Sequence, residues 1–248
     1  MTEIPTSERL IVALDYPSRS GALRLVEQLS GLLSTYKIGF ELFTAEGPAL
    51  VREIISGGAS VFLDLKFHDI PNTVAGAVAS AARLGVSITN VHALGGSEMM
   101  RAAAQSALAV ASASQADGRG QGQQSRPKVI AVTVLTSMDQ AALNGVGIST
   151  APDSQAVKLA SLAKDAGLDG VVASPREARM IRESVGSDGF LIVTPGIRPE
   201  WAATGDQRRI ATPSEAIRSG ADYLVVGRPI IAAADPRAAA QRILDEIG

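Results

Sequence analysis

Eight short apolar runs, each followed by a segment of helical pattern, constrain this chain more than any other feature. The runs fall at 10–14, 35–38, 61–66, 87–91, 129–134, 170–173, 190–193 and 223–226. Helical segments follow at 21–32, 47–56, 72–84, 98–111, 154–166, 176–185, 214–219 and 237–247. Such alternation indicates parallel βαβ units. The runs are apolar throughout rather than alternating apolar with polar, as expected when both faces of a parallel sheet are buried. Eight units in 248 residues suit a (β/α)8 barrel. The expected fold is therefore α/β, a (β/α)8 TIM barrel forming a single domain over 1–248, with a doubly wound open sheet as the alternative on pattern alone. The segment 112–127 breaks the rhythm: it is rich in Gly, Gln and Ser and nearly lacks large apolar side chains. Such a stretch cannot offset its own ordering entropy, and we expect a flexible surface insertion at the amino-terminal face of the barrel.

Composition removes several function classes. A net charge of -2 argues against a general nucleic-acid grip, which needs a basic face. The absence of cysteine excludes disulfides, thiolate zinc sites and a cysteine nucleophile. With His68 and His92 as the two histidines, a multi-histidine metal site is not expected. The N-terminal residues form no apolar signal segment, and no run approaches the roughly 18 apolar residues of a membrane helix. The expectation is a soluble cytoplasmic protein.

The third run leads into Asp64-Leu-Lys-Phe-His-Asp-Ile-Pro-Asn-Thr73. Residues two apart on a strand share a face, so Asp64 and Lys66 project with Phe62, and Asp69 follows where the strand ends. Charges at the end of a buried strand are costly unless paired. A structural ion pair and a catalytic cluster both fit that pattern. Other strands also end in polar residues. Asp15 closes the first, Lys37 lies on the second, and Thr136 follows the fifth. Thr194-Pro-Gly-Ile-Arg198 closes the seventh and Gly227-Arg228-Pro229 the eighth.

In barrels of this kind the site is built at the carboxyl ends of the strands. Singly, Asp15 also reads as a turn residue, Lys37 as a snorkelling side chain, and His68 and His92 as packing or hydrogen-bonding residues. Trp201 reads as a lid residue or a surface aromatic. Arg198 and Arg228 each follow a glycine after strands seven and eight, the common phosphate position of such barrels. Glycine lets backbone N–H groups approach an anion, and Arg adds charge-assisted hydrogen bonds. A phosphorylated small-molecule ligand is the expectation from the residues themselves.

The chain resembles the orotidine 5′-phosphate decarboxylases of the bacterial type. The matching residues are Ala13-Leu-Asp15, Tyr36-Lys37-Ile-Gly39, the run from Asp64 to Thr73, and Asn90-Val-His92. They continue through Val132-Thr-Val-Leu-Thr-Ser-Met138, Gly167-Leu-Asp-Gly-Val-Val172 and Val193-Thr-Pro-Gly-Ile-Arg198. Gly205-Asp-Gln-Arg-Arg-Ile210 and Val226-Gly-Arg-Pro229 complete the set. They occur in order over nearly the whole chain.

The resemblance implies decarboxylation of orotidine 5′-phosphate to UMP and CO2, the last step of de novo UMP synthesis, with no cofactor and no metal. It implies a homodimer in which Asp69, Ile70 and Thr73 reach the neighbouring site. Lys37, Asp64 and Lys66 would join the partner's aspartate in an alternating charge array, with Lys66 protonating the C6 carbanion. Asp15 and Lys37 would bind the ribose hydroxyls, Thr136 would contact the pyrimidine and Pro195 would line the base pocket. Gln207 would bridge base and phosphate, with Gly227, Arg228 and Arg198 at the phosphate and 198–210 as a lid over it. Two rivals keep the barrel: a magnesium-dependent enzyme acting on a sugar phosphate, and a non-catalytic binder of a phosphorylated ligand.

Overall fold

The computed structural model describes residues 4–116, 126–186, 189–202 and 211–248. Eight parallel strands close into a barrel in sequence order, the last pairing with the first. They are β1 (Leu10–Ala13), β2 (Thr35–Ile38), β3 (Ser60–Phe67), β4 (Ile88–His92), β5 (Lys128–Val132), β6 (Gly170–Val172), β7 (Leu191–Thr194) and β8 (Tyr223–Val226). The helices outside them are α1 (Thr6–Arg9), α2 (Arg19–Leu29), α3 (Phe40–Ser56), α4 (Pro71–Arg83), α5 (Gly96–Ala116) and α6 (Gln140–Gly145). They continue as α7 (Pro152–Asp165), α8 (Pro175–Val185), α9 (Pro213–Arg218), α10 (Arg228–Ile231) and α11 (Pro236–Ile247). The expected (β/α)8 barrel is the observed one.

β1 shows why the strands are apolar on both faces. Leu10 and Val12 pack outward into the layer beneath the helices, whereas Ile11 and Ala13 point into the barrel with Phe62, Ile88, Ile130, Val193 and Val225. Proline in the first turn opens α4, α7, α8, α9 and α11, where its missing N–H costs no hydrogen bond. Reciprocal capping boxes, Ser174 with Glu177 and Thr212 with Glu215, fix the starts of α8 and α9.

At the amino-terminal ends of the strands the charges are structural. Asp169, just before β6, accepts hydrogen bonds from Arg126 and the Val129 N–H. Asp222, just before β8, pairs with Arg182 and accepts the Ile192 N–H.

Besides the four-residue α1 and α10, which the apolar pattern does not mark, three elements differ from the sequence expectation. α3 begins at Phe40 rather than at 47, with a break at Gly47, whose φ of 66° is ahead of Pro48. Glycine takes that left-handed conformation without steric cost and proline starts the second helical stretch. α5 runs to Ala116, into the segment expected to be a flexible insertion. Ala- and Ser-rich 110–116 continues the helix because alanine favours it; 117–125 lie outside the described residues. α6, capped by the Asp139 side chain on the Ala142 N–H, was not anticipated.

Candidate active site

A cavity of about 270 Å³ opens at the carboxyl ends of the strands. Asp15, Lys37, Asp64, Lys66, Thr136, Pro195, Arg198, Gly227 and Arg228 line it, above a floor that includes Ala13, Phe62 and Val225. The convergence follows from strand geometry. Asp64 is two residues beyond inward-facing Phe62, and Asp15 is two beyond Ala13.

Four of these side chains form a chain of alternating charge. Lys37 Nζ is 3.2 Å from Asp15 Oδ1 and 3.6 Å from Asp64 Oδ2. Lys66 Nζ is 2.7 Å from Asp64 Oδ1. Lys66 also stands over the Phe40 ring, 5.5 Å from its centroid. Burial alone would raise the Asp64 carboxyl. The Lys37 and Lys66 ammonium groups, with hydrogen bonds from Lys66 and Asn90, overcome that and hold it below its ordinary value. A buried carboxylate is thus kept ionised between two cations.

The backbone beneath Lys66 is not a regular strand. The β3–β4 register shifts between Leu63 and Phe67, and Lys66 has a φ of 42°, the one positive value at a non-glycine among the described residues. Asp64 and Lys66 project together, as strand alternation leads one to expect, but through a bulge rather than through strict alternation.

The anion end of the cavity comes from β7 and β8. Gly196, with a φ of 80°, turns the chain so that Arg198 returns to the rim. The Arg198 N–H donates to the Ala211 carbonyl at 2.9 Å, and Ile197 bridges Ala211, so both ends of that loop are joined. A Cβ on Gly227 would lie 3.2 Å from Asp15 Oδ2. The absence of a side chain there lets β8 approach the Asp15 end of the array.

The family model for orotidine 5′-phosphate decarboxylase / HUMPS matches residues 8–243. The chain belongs to the orotidine 5′-phosphate decarboxylase / HUMPS family. The orotidine 5′-phosphate decarboxylase of Moorella thermoacetica is 52% identical over 248 residues, covering 100% of this chain and 95% of that protein. That of Geobacter metallireducens is 53% identical over 248 residues, covering 100% and 99%. The crystal structure of orotidine 5′-phosphate decarboxylase from Lactobacillus acidophilus superposes with a TM-score of 0.83 at 38% identity, covering 97% of this chain and 99% of that one.

Not every residue expected from the decarboxylase resemblance lines this cavity. Asp69 and Ile70 lie beside it on the rim, around a shallow depression with His68 and Leu94. Thr73 is exposed on the first turn of α4, and its N–H donates to the Ile70 carbonyl. Asp69 Oδ1 accepts the Ile70 N–H at 2.6 Å. Within one chain these three residues face outward. Gln207 and most of the expected lid lie outside the described residues. Trp201 is partly exposed, with the Arg242 guanidinium 4.5 Å over its ring, so on this decarboxylase-family barrel it packs toward α11.

His68 and His92 stack at 5.3 Å beside the array. Burial, and then positive charge on His68 and Lys66, pushes His92 down to about 4. His92 is therefore neutral at neutral pH, and its Nδ1 accepts the Leu94 N–H.

Two contributors have no role in the sequence reading, although Asn90 lies in one of the matching motifs. Phe40 follows β2 and nothing in its neighbourhood marks it. Asn90 did carry a signal: it is a polar residue in the inward register of a strand expected to be apolar, two after Ile88. Among the described residues no cluster of three or more His, Cys, Asp or Glu is placed to hold a metal ion, and no helix is long and apolar enough to cross a membrane.

Proposed function

We propose that this protein converts orotidine 5′-phosphate to UMP and CO2 without a cofactor, completing UMP synthesis in the cytoplasm. The observation that carries the proposal is the Asp15–Lys37–Asp64–Lys66 array in one cavity with Gly227, Arg228 and Arg198.

Decarboxylation breaks the bond between C6 and the carboxylate and leaves its electron pair on C6. The Lys66 ammonium balances that developing charge and then supplies the proton, so the carbanion becomes C6–H and the neutral lysine recovers a proton from solvent. Asp64, held ionised, faces the substrate carboxylate, and their repulsion is relieved as neutral CO2 departs. Lys37 keeps Asp64 from folding away and, with Asp15, presents partners for the ribose hydroxyls. Thr136 and Pro195 flank the pyrimidine. Arg228, Arg198 and the Gly227 backbone take the phosphate, and binding energy gathered at that remote group aligns the reacting end. Gln207 is assigned to the bridge between base and phosphate.

A homodimer completes the reading. Asp69, Ile70 and Thr73 of each copy are presented outward, and the partner's aspartate would extend the array beyond Lys66. Large apolar side chains support this. Ile70 is 67% exposed, and Phe40 (55%) and Leu94 (43%) follow neighbouring strands at the same end of the barrel. Patches of this kind mark protein contacts.

The test is the ultraviolet absorbance of orotidine 5′-phosphate mixed with purified protein and EDTA. Loss of the orotate band with stoichiometric UMP is the expected result. No loss, with turnover appearing on a sugar phosphate only when magnesium is added, would overturn both substrate and mechanism.

A further inference from the structure

Asn90 is fully buried in the wall of the barrel on β4. The reaction steps assigned above make no use of it. Yet both ends of its amide are committed to the site. Oδ1 accepts the backbone N–H of Lys66 at 2.7 Å, and Nδ2 donates to Asp64 Oδ1 at 2.7 Å. The orientation is unambiguous, because a backbone N–H can only donate and a carboxylate can only accept.

The two bonds act on the two residues whose relative position matters most. Lys66 adopts a left-handed backbone conformation that a side-chain-bearing residue holds only when its surroundings impose it. The β3–β4 register slips at this point, and a residue at such a slip drops out of the regular ladder. Asn90 gives its N–H a partner and so holds the bend that aims the ammonium back at Asp64. The second bond adds a donor to the carboxylate oxygen that already receives Lys66 Nζ, leaving Oδ2 toward Lys37. One rigid side chain therefore sets both the backbone of the cation and the rotamer of the anion.

We infer that Asn90 is a positioning residue that holds the Asp64–Lys66 pair in its working geometry through the two ends of a single amide. The inference rests on the decarboxylase reading for its kinetic consequence, but its structural consequence is separate. An alanine would serve neither bond. An aspartate would keep the shape and the bond to the Lys66 N–H, while setting a second carboxylate against Asp64 where a donor had been. Like charges that close cannot both stay ionised.

The experiment is the Asn90→Asp and Asn90→Ala pair compared with the wild type. The readouts are kcat, KM, the pH profile of kcat/KM, UMP affinity, thermal midpoint and crystal structure. A misplaced reacting group costs on the order of 10²-fold in rate, so kcat should fall by about that factor in both variants. UMP affinity should stay near wild type, since neither bond is made to the phosphate- or base-contacting residues, whereas the thermal midpoint of Asn90→Ala should fall by several degrees because the partly buried Lys66 N–H loses its partner. In Asn90→Asp the acid limb of kcat/KM should move to higher pH. The Asn90→Ala crystal structure should show Lys66 leaving its left-handed conformation or Asp64 changing rotamer. Unchanged kcat, or a loss of kcat matched by an equal loss of UMP affinity, would overturn the inference and leave Asn90 a packing residue. If the wild type itself does not turn over orotidine 5′-phosphate, the proposed function fails. The Asn90→Ala structure then decides the positioning role, which an unmoved Lys66 and Asp64 would refute.

Discussion

The Lys66 ammonium sits 2.7 Å from Asp64 Oδ1, although the backbone leaves the regular strand between them. The pair is a consequence of the bulge rather than of strand periodicity. Lys66 is partly exposed and Asp64 nearly buried, yet both line the cavity, so cation and anion are presented to it together. Replacing Lys66 with Ala should leave the fold intact and lower kcat by at least the ~10²–10⁴-fold associated with a positioned proton donor. Steady-state kinetics beside a thermal melt check this. A variant with more than a few per cent of wild-type turnover would remove Lys66 from its assigned role.

The fold was readable because a parallel sheet buried on both faces leaves uniform apolar runs, as in Leu10–Ala13. The charged half of the site was readable for the converse reason: Asp64 and Lys66 interrupt such a run. Asn90 was missed because its importance lies in two hydrogen bonds to groups on another strand, and spacing along its own strand does not reveal them. The break at Gly47 was missed because a helix that stops and restarts looks like a later start. The outward position of Asp69, Ile70 and Thr73 came from the resemblance, since nothing in their order distinguishes the rim from the cavity.

Stability should depend on pH through His92. Its folded value is pushed down to about 4 from an ordinary 6.5. Between those values the unfolded chain takes up a proton that the folded chain does not, so stability is full above about 6.5 and declines as pH falls toward 4. Denaturant titrations across that range should show the decline, and His92→Asn should flatten it. Curves of equal slope with and without His92 would contradict the assignment.

Ile70 tests the dimer. It is 67% exposed in the single chain, so Ile70→Glu should change the stability of an isolated subunit by no more than about 0.5 kcal/mol. Sedimentation should nevertheless show a shift from dimer to monomer, with loss of turnover that high protein concentration partly restores. A wild-type protein that sediments as a monomer while fully active would remove the partner's aspartate from the mechanism.

Arg228 tests the phosphate end. It is exposed at the start of α10, beside Gly227. A hydrogen bond to a charged group is worth about 1.5–3 kcal/mol. Arg228→Ala should therefore raise KM for the nucleotide by roughly 10- to 150-fold, while the nucleoside lacking the phosphate should be handled equally by both proteins. Equal losses on nucleotide and nucleoside would place Arg228 elsewhere in the chemistry.

The pairing of β8 with β1, with Val226 beside Val12, also governs when this protein can begin to work. During synthesis the first strand emerges early and keeps an open edge until the last strand arrives to cover it. The Asp15 end of the array meets Gly227 and Arg228 only at that closing step. A nascent chain stopped before Tyr223 carries most of the residues that line the cavity but lacks the strand that closes them into one ring. The first strand would meanwhile remain an unpaired template, open to pairing with other chains. Competence therefore arrives all at once, when β8 pairs with β1, as a property of the closed ring.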